Sequence, residues 1–221
     1  LWGDIPAPAA AHSEPRKRVV CVNGWGANTT ENWMATVLPI LEARGIDVVR
    51  FTGIPGKQTL DEAIADLTAQ VGAVDANTYF LGQSAGNQII IRYLATLPEG
   101  SRTGGLFAVA AWVALQEKTN DPRDAWIDEF MAQNAAALAP FLDSTNINHA
   151  RLWEVCRNIS CLVSEDDGFN IDDRGTANSE LLTKNWGANV EVLTGRGHFI
   201  SHELNVADRR ACLRFFGVSF C

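Results

Sequence analysis

Basic charge is scarce in this chain: 18 Lys and Arg stand against 26 Asp and Glu, a formal net charge of −8. Nucleic-acid affinity comes from cationic side chains that displace counterions from phosphates, so no nucleic-acid partner is expected. The one basic run, Arg16-Lys17-Arg18, directly precedes an apolar segment and reads as a solvated flank. Long apolar stretches are missing too. The longest, Leu106 to Leu115, falls well short of the roughly 20 residues a membrane helix needs, and the first residues lack the basic region and apolar block of a signal peptide. No membrane association is expected. Cysteine is sparse and odd in number (Cys21, Cys156, Cys161, Cys212 and Cys221), without C-x-x-C spacing, which predicts reduced thiols and a cytoplasmic protein. The N-x-[ST] triplets at Asn28 and Asn158 are of a kind common by chance and leave that expectation unchanged.

Several motifs are missing as well. Neither G-x-G-x-x-G nor G-x-x-x-x-G-K-[ST] follows the first predicted strand, which removes the phosphate cradle of a nucleotide-binding protein. H-E-x-x-H is absent, and although His198 and His202 are four apart, His198 falls in a predicted loop, so no metal and no cofactor are expected.

What is present is an alternation of short β-branched runs with segments of helical period, the pattern of βαβ units stacked around a parallel sheet. Residues 1–17, rich in Pro and Ala and without periodicity, read as a flexible arm, and 18–221 as one domain. Strands are expected at 19–22, 46–51, 78–81, 106–114, 159–163 and 190–193. Helices are expected at 31–44, with Asn28 and Glu31 as capping box, from Thr59 to Val71, at 85–97, 176–186 and 204–216. Residues 122–153 read as helical with a break near Pro140. This describes an α/β domain with helices on both faces of a mostly parallel sheet and no room for a large lid.

Gly82-Gln83-Ser84-Ala85-Gly86 matches G-x-S-x-G and lies between a predicted buried strand and a predicted helix. A turn that lifts a serine off a strand end needs strained backbone and close approach of the following helix, so the positions two before and two after must be small. Gly82 and Gly86 meet that demand, which makes Ser84 a candidate nucleophile. A serine hydroxyl needs an imidazole to take its proton and a carboxylate to fix that imidazole's tautomer. His12 lies in the arm, His149 precedes a helix and His202 begins one. His198 stands in Gly195-Arg196-Gly197-His198-Phe199, a Gly-rich loop after the last strand, and is the candidate base. The acid belongs between them in the chain, at Ser164-Glu165-Asp166-Asp167-Gly168-Phe169, where either Asp166 or Asp167 can serve. Oxyanion donors are expected from the amides of Ala85 and of Trp25, the latter in Asn23-Gly24-Trp25-Gly26. Gln83, Trp112 and Phe169 are candidates to line a substrate pocket; Trp25, Trp33 and Trp112 serve core packing equally well.

Together Val22-Asn23-Gly24-Trp25-Gly26, the Gly82–Gly86 elbow, Ser164–Phe169 and Gly197-His198-Phe199 resemble the small serine hydrolases of the α/β-hydrolase fold typified by retinoblastoma-binding protein nine and its bacterial relatives. The resemblance spans residues 19 to 217. It implies the α/β-hydrolase fold, cofactor-free hydrolysis of a small ester, thioester or amide, and Asp167 as the acid, although Gly168 stands where that family usually has proline. The L-x-C-x-E element behind the family's name has no counterpart in Val71 to Asn77, so no retinoblastoma-type pocket partner is expected, and the helical insert at 121–146 has none in the family. The competing reading is a non-catalytic protein of the same fold that binds a ligand in the same pocket.

Overall fold

A computed structural model describes residues 16–116, 125–172, 175–200, 204 and 206–219; of the expected arm only Arg16 and Lys17 fall among them. Six strands, β1 (Arg18–Val22), β2 (Asp47–Arg50), β3 (Thr78–Gln83), β4 (Gly105–Val109), β5 (Ile159–Ser164) and β6 (Asn189–Leu193), form a sheet in the order β2-β1-β3-β4-β5-β6. Every neighbouring pair is parallel. The connecting helices are α1 (Met34–Ala43), α2 (Leu60–Val71), α3 (Ala85–Thr96), α4 (Ala125–Leu142), α5 (His149–Val155), α6 (Thr176–Trp186) and α7 (Val206–Phe215).

Side-chain alternation along the strands divides the apolar residues between two cores. Val19 and Cys21 of β1 join Phe107 of β4 beneath α1 and α7. Val20 and Val22 face the other way, with Phe80, Leu106 and Cys161, beneath α2, α3, α5 and α6. These residues are all within 2% of full burial. Removing such a side chain from water contributes about 1.5–3 kcal/mol, so both faces must be covered for the sheet to persist. The order also fixes where a site can form. From β1 the chain crosses to β2 on one side and from β3 to β4 on the other, so the loops at the C-terminal ends of β1 and β3 diverge and leave a crevice between them.

Local chemistry accounts for where the elements begin and end. Thr59 caps α2: its hydroxyl accepts from the Glu62 N–H at 3.3 Å while Glu62 accepts from the Thr59 N–H at 2.9 Å. α3 stops before Pro98, which holds Leu97 extended. Three expectations are corrected. α1 starts at Met34, because Asn28 uses its side chain within its own turn, on Thr30 and Glu31, and Asn32 turns left-handed with φ 54°. β4 ends at Val109 rather than running to 114, because Ala110 (φ 47°) swings the chain away from the sheet. Pro140 lies within α4; the break comes at Asp143, whose carboxylate caps a short 3-10 turn over Ser144–Asn146. No helix of the described residues is long and apolar enough to cross a membrane.

Candidate active site

β3 and α3 meet at one residue, Ser84, held at φ 48° and ψ −124°. A non-glycine residue at positive φ is strained, and the surroundings must over-determine it. The Ser84 N–H donates to the Val109 carbonyl at 3.0 Å, which fastens the turn to β4, and the Asn87 side-chain amide donates to that carbonyl at 3.0 Å. Both flanking glycines are sterically required. A Cβ on Gly86 would fall 2.5 Å from the Asn23 carbonyl oxygen, and one on Gly82 would strike the Asn87 side chain. Gly24 belongs to the same fit, since a Cβ there would lie 3.2 Å from Ser84 Cβ.

His198 reaches Ser84 from the loop after β6. Its Nε2 lies 2.8 Å from Ser84 Oγ and its Nδ1 2.7 Å from Asp167 Oδ2. With Nδ1–H donating to the carboxylate, Nε2 is free to accept the serine proton. Of the two carboxylates left open by sequence, Asp167 is the one on the imidazole; it is 7% exposed, and its Oδ1 accepts from the Phe169 N–H at 3.0 Å. Asp166 points to the other side of the turn. Its Oδ1 accepts from the amides of Arg196 (3.1 Å) and Gly197 (3.3 Å) and from Ser164 Oγ, so it braces the loop that carries His198. Partial burial raises its pKa, but these hydrogen bonds together outweigh that and hold it below the usual carboxylate range. Arg196 anchors the loop further through an ion pair with the buried Asp208 of α7 at 2.6 Å.

The crevice beside Ser84 is a cavity of about 190 Å³. Trp25, Trp112, Leu115, Phe130, Leu138 and Phe169 wall it, and Ser84 and His198 line it with them. Gln83 also lines it while donating from Nε2 to the Phe199 carbonyl at 2.9 Å, a hydrogen bond that clamps the histidine loop. The Phe169 ring stands 4.6 Å from the imidazole. Trp33 is not a wall residue: it is fully buried in the core beneath α1. The amide N–H groups of Ala85, at the start of α3, and of Trp25, in the turn after β1, make no hydrogen bond to the protein among the described residues.

No protein-family model matches this chain, and no curated protein matches it. Solved structures do. The ydeN gene product of B. subtilis superposes with a TM-score of 0.68 at 20% identity, over 91% of this chain and 100% of that one. The 2-hydroxy-6-oxo-6-phenylhexa-2,4-dienoate hydrolase of a Rhodococcus strain gives 0.62 at 17% identity, over 92% and 91%. The Arabidopsis thaliana protein SOBER1 gives 0.54 at 12% identity, over 92% and 98%. This chain has the α/β-hydrolase fold.

Within that fold the four non-glycine residues of positive φ among the described residues, Asn32, Ser84, Ala110 and Phe199, all gather at this crevice. Asn32 lines it, Ala110 follows the carbonyl that pins Ser84, and Phe199 follows His198. Strain of this kind, of order 1–3 kcal/mol per residue, persists where the surroundings enforce it and clusters at functional sites. Sequence reasoning missed the wall that α4 supplies. Trp126, Phe130 and Leu138 share one helical face at spacings of four and eight, a readable stripe, but nothing in the chain order said that this face covers Ser84. His202 and Cys221 lie outside the described residues; Cys21, Cys156, Cys161 and Cys212 are free and buried, and burial pushes their thiol pKa values up.

Proposed function

We propose that this protein is a serine hydrolase that cleaves a small ester, thioester or amide through an acyl-Ser84 intermediate. The observation that carries the reading is the continuous hydrogen-bonded line Ser84–His198–Asp167, at 2.8 and 2.7 Å, ending at a strained serine that faces a cavity. Ser84 Oγ attacks the acyl carbonyl carbon as its proton passes to His198 Nε2. Asp167 holds the imidazole in the accepting tautomer and stabilises the imidazolium that forms. The amides of Ala85 and Trp25, both without a protein acceptor among the described residues, donate to the developing oxyanion. Collapse of the tetrahedral adduct breaks the bond to the leaving group, which takes the proton from His198. Water then adds to the acyl-serine by the same route and releases the carboxylic acid.

The test is covalent labelling with a fluorophosphonate probe, alongside hydrolysis of p-nitrophenyl butyrate. Labelling of the wild-type protein that vanishes in Ser84→Ala and falls steeply in His198→Ala supports the reading. A folded wild-type protein that takes no label refutes it and favours a ligand-binding role for the same cavity.

A further inference from the structure

The cavity beside Ser84 carries more information than the reaction class, because its size and the charge of its walls restrict what can be acylated onto the serine. An engineered apolar protein cavity of about 150 Å³ holds a benzene molecule. The space here, about 190 Å³, therefore matches a single ring or a short chain attached to the reacting carbonyl. Its walls are aromatic and aliphatic, and the only ionisable residue among the described residues that line it is His198.

The polar side chains around it are neutral and mostly occupied by the fold. Asn23 accepts from the Gly24 N–H at 2.7 Å and donates to the Asn28 carbonyl at 2.6 Å. Gln83 spends its Nε2 on the histidine loop. Two buried polar atoms of lining residues have no protein partner among the described residues, the Trp112 indole N–H and Gln83 Oε1. Both are uncharged and buried away from the cavity surface, so neither supplies a counter-charge to an acyl group there. A carboxylate brought into such a space loses its water without a cationic partner among the described lining residues, which is the costly case of burial.

α4 sets the depth. Phe130 and Leu138 close the cavity from that helix, and Phe130 is locked by edge-to-face contacts with Trp25 (6.1 Å between centroids) and Phe169 (5.6 Å). Ile200, 59% exposed, lines the cavity as well, so it is the lining position most open to solvent where a new charge can be introduced.

Resting on the acyl-transfer reading above, we infer that the site selects a compact, uncharged acyl group of about the size of a benzene ring, and discriminates against acyl groups that end in a carboxylate or extend as long chains. The experiment compares kcat/KM for N-acetylcysteamine thioesters of pentanoate, phenylacetate, glutarate and dodecanoate, with fluorophosphonate labelling of Ser84 run on the same preparation. Glutarate matches pentanoate in length and differs by one terminal carboxylate. The expected result is pentanoyl and phenylacetyl fastest, glutaryl slower than pentanoyl by about 100-fold or more, and dodecanoyl slower by about 10-fold or more. Ile200→Lys then narrows the pentanoyl-to-glutaryl gap by about 10-fold, a readout that does not depend on total activity. Leu138→Ala raises dodecanoyl relative to pentanoyl.

A protein whose Ser84 is labelled but which cleaves glutaryl within about threefold of pentanoyl, or prefers dodecanoyl, overturns this inference and leaves the acyl-transfer reading standing. Absence of labelling overturns both.

Discussion

Replacing Arg92 by Met tests how the wall over Ser84 is held in place. Arg92 lies on α3, 7% exposed, and its guanidinium donates to the carbonyls of Pro140 (3.2 Å), Phe141 (3.1 Å) and Asp143 (2.7 Å) at the C-terminal end of α4, and to Gln88 Oε1 at 2.6 Å. Gln88 in turn donates to the carbonyl of Trp112, a cavity wall residue, at 2.5 Å. Burial lowers the Arg92 pKa to about 10, with Asp143 acting against the shift, so the group is still charged at neutral pH and caps the partial negative charge of a helix end. Methionine keeps the stem and removes every donor. The Pro140 and Asp143 carbonyls sit on exposed and half-buried residues and can turn to water, whereas Phe141 and Gln88 are buried, which leaves two acceptors without partners. Each costs about 1–3 kcal/mol, and relief of the buried charge offsets part of the total, for a net loss of about 3 kcal/mol. For a chain of this length that corresponds to a fall in Tm of about 6–12 °C. Thermal unfolding followed by circular dichroism reads it directly, and the ratio of phenylacetyl to acetyl ester hydrolysis reads loosening of the α4 wall. A Tm within about 2 °C of wild type means that these carbonyls are hydrated without Arg92, and the reasoning fails.

The two adjacent aspartates separate by function: Asp167→Asn, which reverses the hydrogen bond to His198 and leaves the wrong tautomer, is expected to lower kcat by about 10⁴-fold, and Asp166→Asn by no more than about 10-fold. Equal losses on p-nitrophenyl butyrate refute that assignment. Gly86→Ala places a methyl group against the backbone carbonyls of Val22 and Asn23, so α3 must retreat by somewhat under an ångström and carry Ser84 with it; kcat/KM is expected to fall about 100-fold while the protein stays folded. An active Gly86→Ala protein shows that the contact relaxes elsewhere. Asp166 also predicts an acid dependence: because its folded pKa is lowered, its stabilisation is present above the unfolded value, about pH 4, and is lost as pH falls through the folded value. Melting curves of wild type and Asp166→Asn are expected to lie apart at neutral pH and to converge as pH falls through the folded value; a constant separation contradicts the account.

What could be read from the chain was what local pattern encodes. Runs such as Val19–Val22 and Leu106–Val109 announce buried parallel strands because both of their faces are apolar, and Thr59 with Glu62 announces a helix start because the capping box closes within four residues. The G-x-S-x-G turn is legible for the same reason: Gly82 and Gly86 are demanded by contacts within one strand–turn–helix unit and the strand beside it. Asp166 against Asp167 was not legible from the residues. Neighbouring side chains on a turn diverge, and which one meets His198 depends on the turn made when the Asp167 N–H bonds to Ser164 and the Asn170 N–H to Asp167. The early end of β4 was hidden likewise, since Ala110 carries no mark of a left-handed residue: its N–H still makes the next ladder bond, to the Leu162 carbonyl at 2.9 Å, before its φ of 47° turns the chain away.

The α4 wall shows the limit most clearly. Its stripe of Trp126, Phe130 and Leu138 is plain in the sequence, yet the residue that docks the helix, Arg92, precedes its acceptors by about fifty positions and sits inside a segment whose helical pattern is already explained by Ile89, Ile90 and Leu94. A charged residue in such a segment reads as solvated, because Arg is seldom buried without partners. Only the end of another helix, arriving from far along the chain, turns it into a buried clamp. Residues that position a site through distant backbone carbonyls leave no periodic trace, since the acceptor is a carbonyl that every residue possesses. For this chain, then, the meeting of Ser84 with His198 was readable from motif and order, whereas the depth of the cavity they face was decided by packing that no local pattern records.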